Sequence, residues 1–270
     1  MTPAPPPPAI SGTAAPVEHG VPGSPAMAGL SWLLLSSADV PSGEGFLSAA
    51  ERATLARLTF AKRRADWLLG RWTAKRAVLS YLGDQAACPE GRRFDNSTYS
   101  TDVPFAAEAA ISIVAAPDGA PEVLSPDGPA PAAVSIAHSG GRGLAVAGPR
   151  AAVFGADIET IAPRDPDFLA DFFTEREREW VESLGAADRA WGATLVWSAK
   201  EAVLKALRVG LREDTRAVEI TVEERTQPRA PPGEPASPWH AVTAELPSTG
   251  RRFEGSARVV SGQVVTILGA

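Results

Sequence analysis

The segment Trp197-Ser198-Ala199-Lys200-Glu201-Ala202-Val203-Leu204-Lys205-Ala206-Leu207 constrains this chain more than any other. At about 100° per residue it reads as a helix. Leu195, Val196, Ala199, Ala202, Val203, Ala206 and Leu207 share one broad arc, an ordinary buried face. The opposite arc carries Trp197, Lys200, Glu201, Lys205 and Arg208, with Leu204 among them. Glu201 and Lys205 stand i, i+4, so their heads can meet. Lys200 points about 100° away from Glu201, so these neighbours are expected to serve different partners.

A second stretch, Val153 to Glu159, alternates like a strand. Phe154, Ala156 and Ile158 face one way; Gly155, Asp157 and Glu159 face the other. Two carboxylates on one strand face repel unless a cation sits between them. Gly155 beside them is expected to leave room for a ligand. Oxygen-only donors suit Mg²⁺, which takes one or two carboxylates and completes its shell with water and phosphate. Glu201 can supply a third carboxylate.

Together these stretches resemble the paired signature of the Sfp-type 4′-phosphopantetheinyl transferases: G-A-D-I-E, then W-S-A-K-E-A-V-L-K, with Glu201 44 positions after Asp157. The segment Lys62-Arg63-Arg64, Trp67-Leu68, Gly70-Arg71 and Lys75 is similar to the N-terminal signature of the same family, whose arginines, eight apart, reach coenzyme A phosphates. Arg63 and Arg71 have that spacing, and Arg64 competes for the first role. Ser135 to Ser139 is similar to the family segment whose histidine contacts the nucleotide, which implies that role for His138. Ala137 departs from that pattern. Gly119-Ala120-Pro121 stands where many members have Gly-Lys-Pro, so one phosphate contact is missing.

The resemblance implies an α+β fold of two similar subdomains related by pseudo-twofold symmetry, with the active site at their interface. Their expected bounds are 28–147, carrying coenzyme A phosphate contacts, and 148–270, carrying the metal and catalytic residues. No sequence identity between the halves is read. The implied reaction moves 4′-phosphopantetheine from coenzyme A to a serine of an apo acyl or peptidyl carrier protein and releases adenosine 3′,5′-bisphosphate. Mg²⁺ would be held by Asp157, Glu159 and Glu201. Glu201 and Lys205 would be catalytic, with Glu201 or a water taking the serine proton. Arg63, Arg71, His138, Lys200 and Lys205 would bind the coenzyme, Lys200 pairing with phosphate or with the carrier. Glu177 completes a capping box with Thr174, which explains it structurally; a family glutamate near the active site keeps a second role open. The alternative is a coenzyme A or carrier-protein binding module without catalysis.

Composition narrows the field. A net charge of −6 argues against bulk nucleic-acid affinity, although the helix from about Ala61 to Leu82 is basic. One cysteine, Cys88, excludes an internal disulfide and a cysteine metal cluster. No apolar run is long enough to span a membrane, and the N-terminus lacks a signal peptide's basic and apolar regions. A cytoplasmic monomer is expected. Residues 1–27, rich in Pro, Ala and Gly, are expected to form a disordered tail. Gly83 is expected to stop the basic helix, and Leu144–Ala147 to pair with Val153–Ile158 as a hairpin around Gly148-Pro149-Arg150. Strand patterns after residue 217 are expected to build a structural terminal sheet.

Overall fold

The computed structural model describes residues 18–19, 27, 29–86, 105–223 and 238–270. Most of the expected tail, and Cys88, lie outside the described residues. The fold is α+β, arranged as helix, sheet, sheet and helix.

The first sheet has the order β1 (Glu18–His19), β2 (Ser31–Ser36), β7 (Arg142–Pro149), β6 (Ala132–Ser139), all antiparallel. Its strands are apolar on both faces. Leu33, Leu35, Ala145 and Ala147 pack towards the long helix α2 (Ala61–Ala86). Trp32, Leu144 and Val146 turn the other way. The second sheet has the order β8 (Phe154–Thr160), β12 (Gln263–Gly269), β11 (Arg251–Val260), β10 (His240–Leu246), β9 (Glu219–Val222). Phe154, Ala156, Ile158, Val265 and Ile267 meet Trp32, Leu144 and Val146 in a core between the sheets. The opposite face receives α6 (Arg189–Ala206), where Val203, Val264 and Leu268 share a core. A small sheet, β3 (Ser112–Ala115), β4 (Pro121–Ser125) and β5 (Gly128–Pro129), flanks the first half.

Three expectations are corrected. α2 runs through Gly83 to Ala86, because a single glycine costs a helix only about 1 kcal/mol. β7 does not pair with β8. It forms a hairpin with β6 through Gly140 and Gly141, whose φ values of 52° and 76° suit a two-residue turn between strands. Gly155 does not open space for a ligand. A Cβ there would lie 1.9 Å from the Ala202 carbonyl oxygen, so the glycine lets α6 lie close on β8. The helix α4 (Pro166–Phe172), with Pro166 in its first turn, was not anticipated.

The two halves repeat one motif. Residues 72–79 read W-T-A-K-R-A-V-L and residues 197–204 read W-S-A-K-E-A-V-L. In the first copy Lys75 on α2 lies 2.6 Å from Glu51, the capping-box residue of α1 (Ala49–Leu55), and donates to the carbonyls of Glu108 and Ile111. Glu51 also accepts from the Ile113 N–H. In the second copy Lys200 on α6 lies 2.9 Å from Glu177, the capping-box residue of α5 (Glu175–Ser183), and donates to the carbonyls of Thr215 and Val218. Glu177 accepts from the Ile220 N–H. All four charged side chains are almost fully buried. Each pair therefore satisfies its charges internally while tying a short helix, a long helix and a strand together.

Candidate active site

Asp157 and Glu159 project from β8, and Glu201 and Lys205 from α6. The Lys205 Nζ lies 2.6 Å from Asp157 Oδ1 and 3.8 Å from Glu201 Oε2. It also donates to the Ala156 carbonyl at 3.3 Å. The other Asp157 oxygen, Oδ2, is buried without a hydrogen-bond partner. Burial, then the charge of Asp157, pushes the Glu201 carboxyl up to about 7, with Lys205 opposing. Burial and Asp157 likewise raise Glu159, against the attraction of Arg164 at 3.4 Å and a hydrogen bond from Trp197. The cluster thus holds more negative charge than one ammonium balances.

Among the described residues, no three His, Cys, Asp or Glu groups stand ready to hold a metal ion. Lys205 occupies the nearer oxygen of Asp157 instead. The donor set nonetheless fits Mg²⁺: the groups offer only oxygen, one carboxylate oxygen is buried and unpaired, and the carboxylates strain against ionisation.

β6 runs alongside β8 and links this cluster to two openings. Ser135 Oγ accepts from the Ala156 N–H at 3.0 Å, and Ser139 Oγ accepts from the Thr160 N–H at 3.3 Å. Val134, Ser135 and Ile136 line a cavity of about 660 Å³ whose far wall includes Lys205, Arg208 and Arg212. Its rim carries Gly119-Ala120-Pro121 and Arg150. His138, further along β6, lines a second cleft of about 500 Å³ with Phe60, Arg63 and Trp67. The Arg71 guanidinium lies 4.7 Å over the Trp67 ring, with its Nε buried and unpartnered. Burial lowers its pKa, opposed by Glu51. Arg63, Arg71 and His138 therefore gather around Trp67. Arg64 does not join them; it pairs with Glu44 and donates to the Leu55 carbonyl.

Residues 153–259 match the family model described as ACPS, the 4′-phosphopantetheinyl transferase superfamily. This stretch is a 4′-phosphopantetheinyl transferase superfamily domain. Asp157, Glu159, Glu201 and Lys205 fall within the matched residues. No curated protein matches the chain. The Sfp-type resemblance is compatible with the superfamily match. Arg63, Arg71 and His138 precede the matched residues.

Two positions are corrected by their surroundings. Lys200 does not face the carboxylate cluster. Its ammonium is buried against Glu177 and two backbone carbonyls, which leaves no donor for coenzyme phosphate or a carrier. Lys75 is likewise an internal ion-pair residue and not part of a basic surface. The pairing of Asp118 with Arg208, both of which line the larger cavity, was missed, because the two residues are 90 positions apart.

Proposed function

We propose that this protein transfers 4′-phosphopantetheine from coenzyme A to a serine of an apo acyl or peptidyl carrier protein, with Mg²⁺. The observation that carries this reading is the Asp157–Lys205–Glu201 cluster within the matched residues, whose Lys205 lines the 660 Å³ cavity. Asp157 and Glu201, with Glu159, would hold the ion, which neutralises pyrophosphate charge when bound.

The chain's own groups supply the rest. Arg63, Arg71 and His138 bind coenzyme phosphates around Trp67. Lys205 binds the reacting phosphates from the wall of the larger cavity. The serine oxygen forms a bond to the pantetheine-bearing phosphorus, and the bond to the bridging oxygen breaks. Lys205 gives a proton to the departing adenosine 3′,5′-bisphosphate, and a carboxylate of the cluster or a water takes the serine proton. Fixed donors aimed at developing charge favour this transfer. The repeated Glu–Lys motif supports reading 28–147 and 148–270 as two similar subdomains with the site where β6 meets β8. A monomer in the cytoplasm accords with this reading.

The test is intact mass spectrometry of apo carrier proteins incubated with the protein, coenzyme A and Mg²⁺. The expected result is a phosphopantetheinyl increment on a carrier serine, lost with EDTA and with Glu201→Gln. An increment that survives both treatments would remove the metal cluster from the mechanism. No increment on any carrier, with coenzyme A still bound, would favour a binding module.

A further inference from the structure

The C-terminal end of α6 is built in an unusual way. The Val209 N–H reaches the Leu204 carbonyl and the Arg208 N–H reaches the Lys205 carbonyl, the paired bonds of a Schellman stop. The residue that must turn left-handed in such a stop is usually glycine. Here it is Arg208, at φ 61°. A side chain in that conformation is disfavoured, so something outside the helix must hold it there.

What holds it is Asp118, in the turn of the first half. Arg208 Nε lies 2.8 Å from Asp118 Oδ2, and its Nη2 lies 3.2 Å from Oδ1 and 3.5 Å from Glu122. Asp118 is itself fixed, because its Oδ1 accepts from the Ala120 N–H and its carbonyl accepts from Arg212. The forked contact joins the two walls of the 660 Å³ cavity. One wall is the turn Gly119-Ala120-Pro121, and the other begins at Lys205, three residues before Arg208. A half-exposed ion pair adds little to stability, but a two-point contact fixes geometry well.

We infer that Asp118 and Arg208 form a positioning latch that sets the width of this cavity for coenzyme A. This inference rests on the transfer reading above. The latch touches no reacting atom. It holds the turn at the registration that bound coenzyme A needs.

Two variants separate this role from a merely structural one. Arg208→Gly restores the residue that a left-handed helix stop prefers, and Asp118→Asn keeps the acceptor for the Ala120 N–H while removing the charge. Coenzyme A binding by calorimetry, steady-state transfer and thermal unfolding are measured for the wild type, both single variants and the double variant. Each single variant is expected to raise Kd and KM for coenzyme A about five- to tenfold. The kcat should stay within about twofold and the melting temperature within about 2 °C. The double variant should bind no more weakly than the weaker single, because both changes break one contact. Unchanged affinity in both singles, or additive losses in the double, overturns the latch. A loss of affinity that only follows unfolding overturns it too. If the wild type binds coenzyme A normally in those cases, the transfer reading stands. A wild type that neither binds coenzyme A nor transfers overturns both.

Discussion

Lys205 and Asp157 meet at 2.6 Å across the junction of α6 and β8, so one ammonium partly neutralises the carboxylate proposed to hold Mg²⁺. If Asp157 holds the ion, removing that ammonium should strengthen metal binding. Lys205→Ala is expected to bind Mg²⁺ several-fold more tightly by calorimetry while losing at least about 100-fold in transfer. Transfer retained at the wild-type rate would take Lys205 out of the reaction.

The Lys200–Glu177 pair has no exposed surface to fall back on. Lys200→Met strands a buried carboxylate and should lower unfolding stability by about 3–5 kcal/mol in urea titrations. Adding Glu177→Gln should recover much of that loss, since the uncompensated charge is gone. The same pattern is expected for Lys75→Met and Glu51→Gln in the first half. A Lys200→Met protein as stable as the wild type would show that the pair holds nothing together.

Gly155→Ala tests the approach of α6 to β8. Its methyl would need space that the Ala202 carbonyl and the Ala206 nitrogen already fill. Because those atoms are backbone, the helix itself must shift, and Lys205 and Glu201 move with it. We expect a loss above about 2 kcal/mol in stability and a loss of transfer together. Full activity in a stable Gly155→Ala protein would contradict the packing described.

His240 gives a pH signature remote from the carboxylate cluster. It is buried beside Trp191, with Nε2 lacking a partner, and burial holds its pKa below 6.5. Between that lowered value and 6.5 the unfolded chain binds the proton more readily than the folded one. Stability should therefore fall as pH drops below about 6.5 and level off below the folded pKa, by about 1.4 kcal/mol for each unit separating the two values. His240→Phe should flatten this part of the profile in denaturation measured across pH. An unchanged slope would assign the effect to other groups.

Much of the site was legible because its parts are local. The alternation around Asp157, the i, i+4 spacing of Glu201 and Lys205, and the Thr174–Glu177 capping box each lie within a few residues. The repeat stands in the sequence as W-T-A-K-R-A-V-L and W-S-A-K-E-A-V-L, but the ion pairs that it carries were not legible in the same way. Its two capping glutamates read as helix starts, and nothing in the chain ties Glu51 to Lys75 or Glu177 to Lys200. A helical wheel groups cations by angle and cannot tell an ammonium in a core from one in water. Lys75 therefore read as part of a basic helix, and Lys200 as free to pair with phosphate or with the carrier. The hairpin was misplaced for a related reason. Gly148-Pro149-Arg150 and Gly140-Gly141 both punctuate strands, but only the second pair supplies two consecutive residues at positive φ.

Among the described residues, the strand that carries Asp157 and Glu159 has a single partner within its sheet, and that partner is β12, whose Thr266 sits opposite Asp157. More than a hundred residues are translated between the two strands. During synthesis the carboxylate strand must wait without its ladder while α6 and three other strands emerge from the ribosome. The ladder between β8 and β12 can form only once Gln263 to Gly269 have left the exit tunnel, long after Asp157 and Glu159 themselves have emerged.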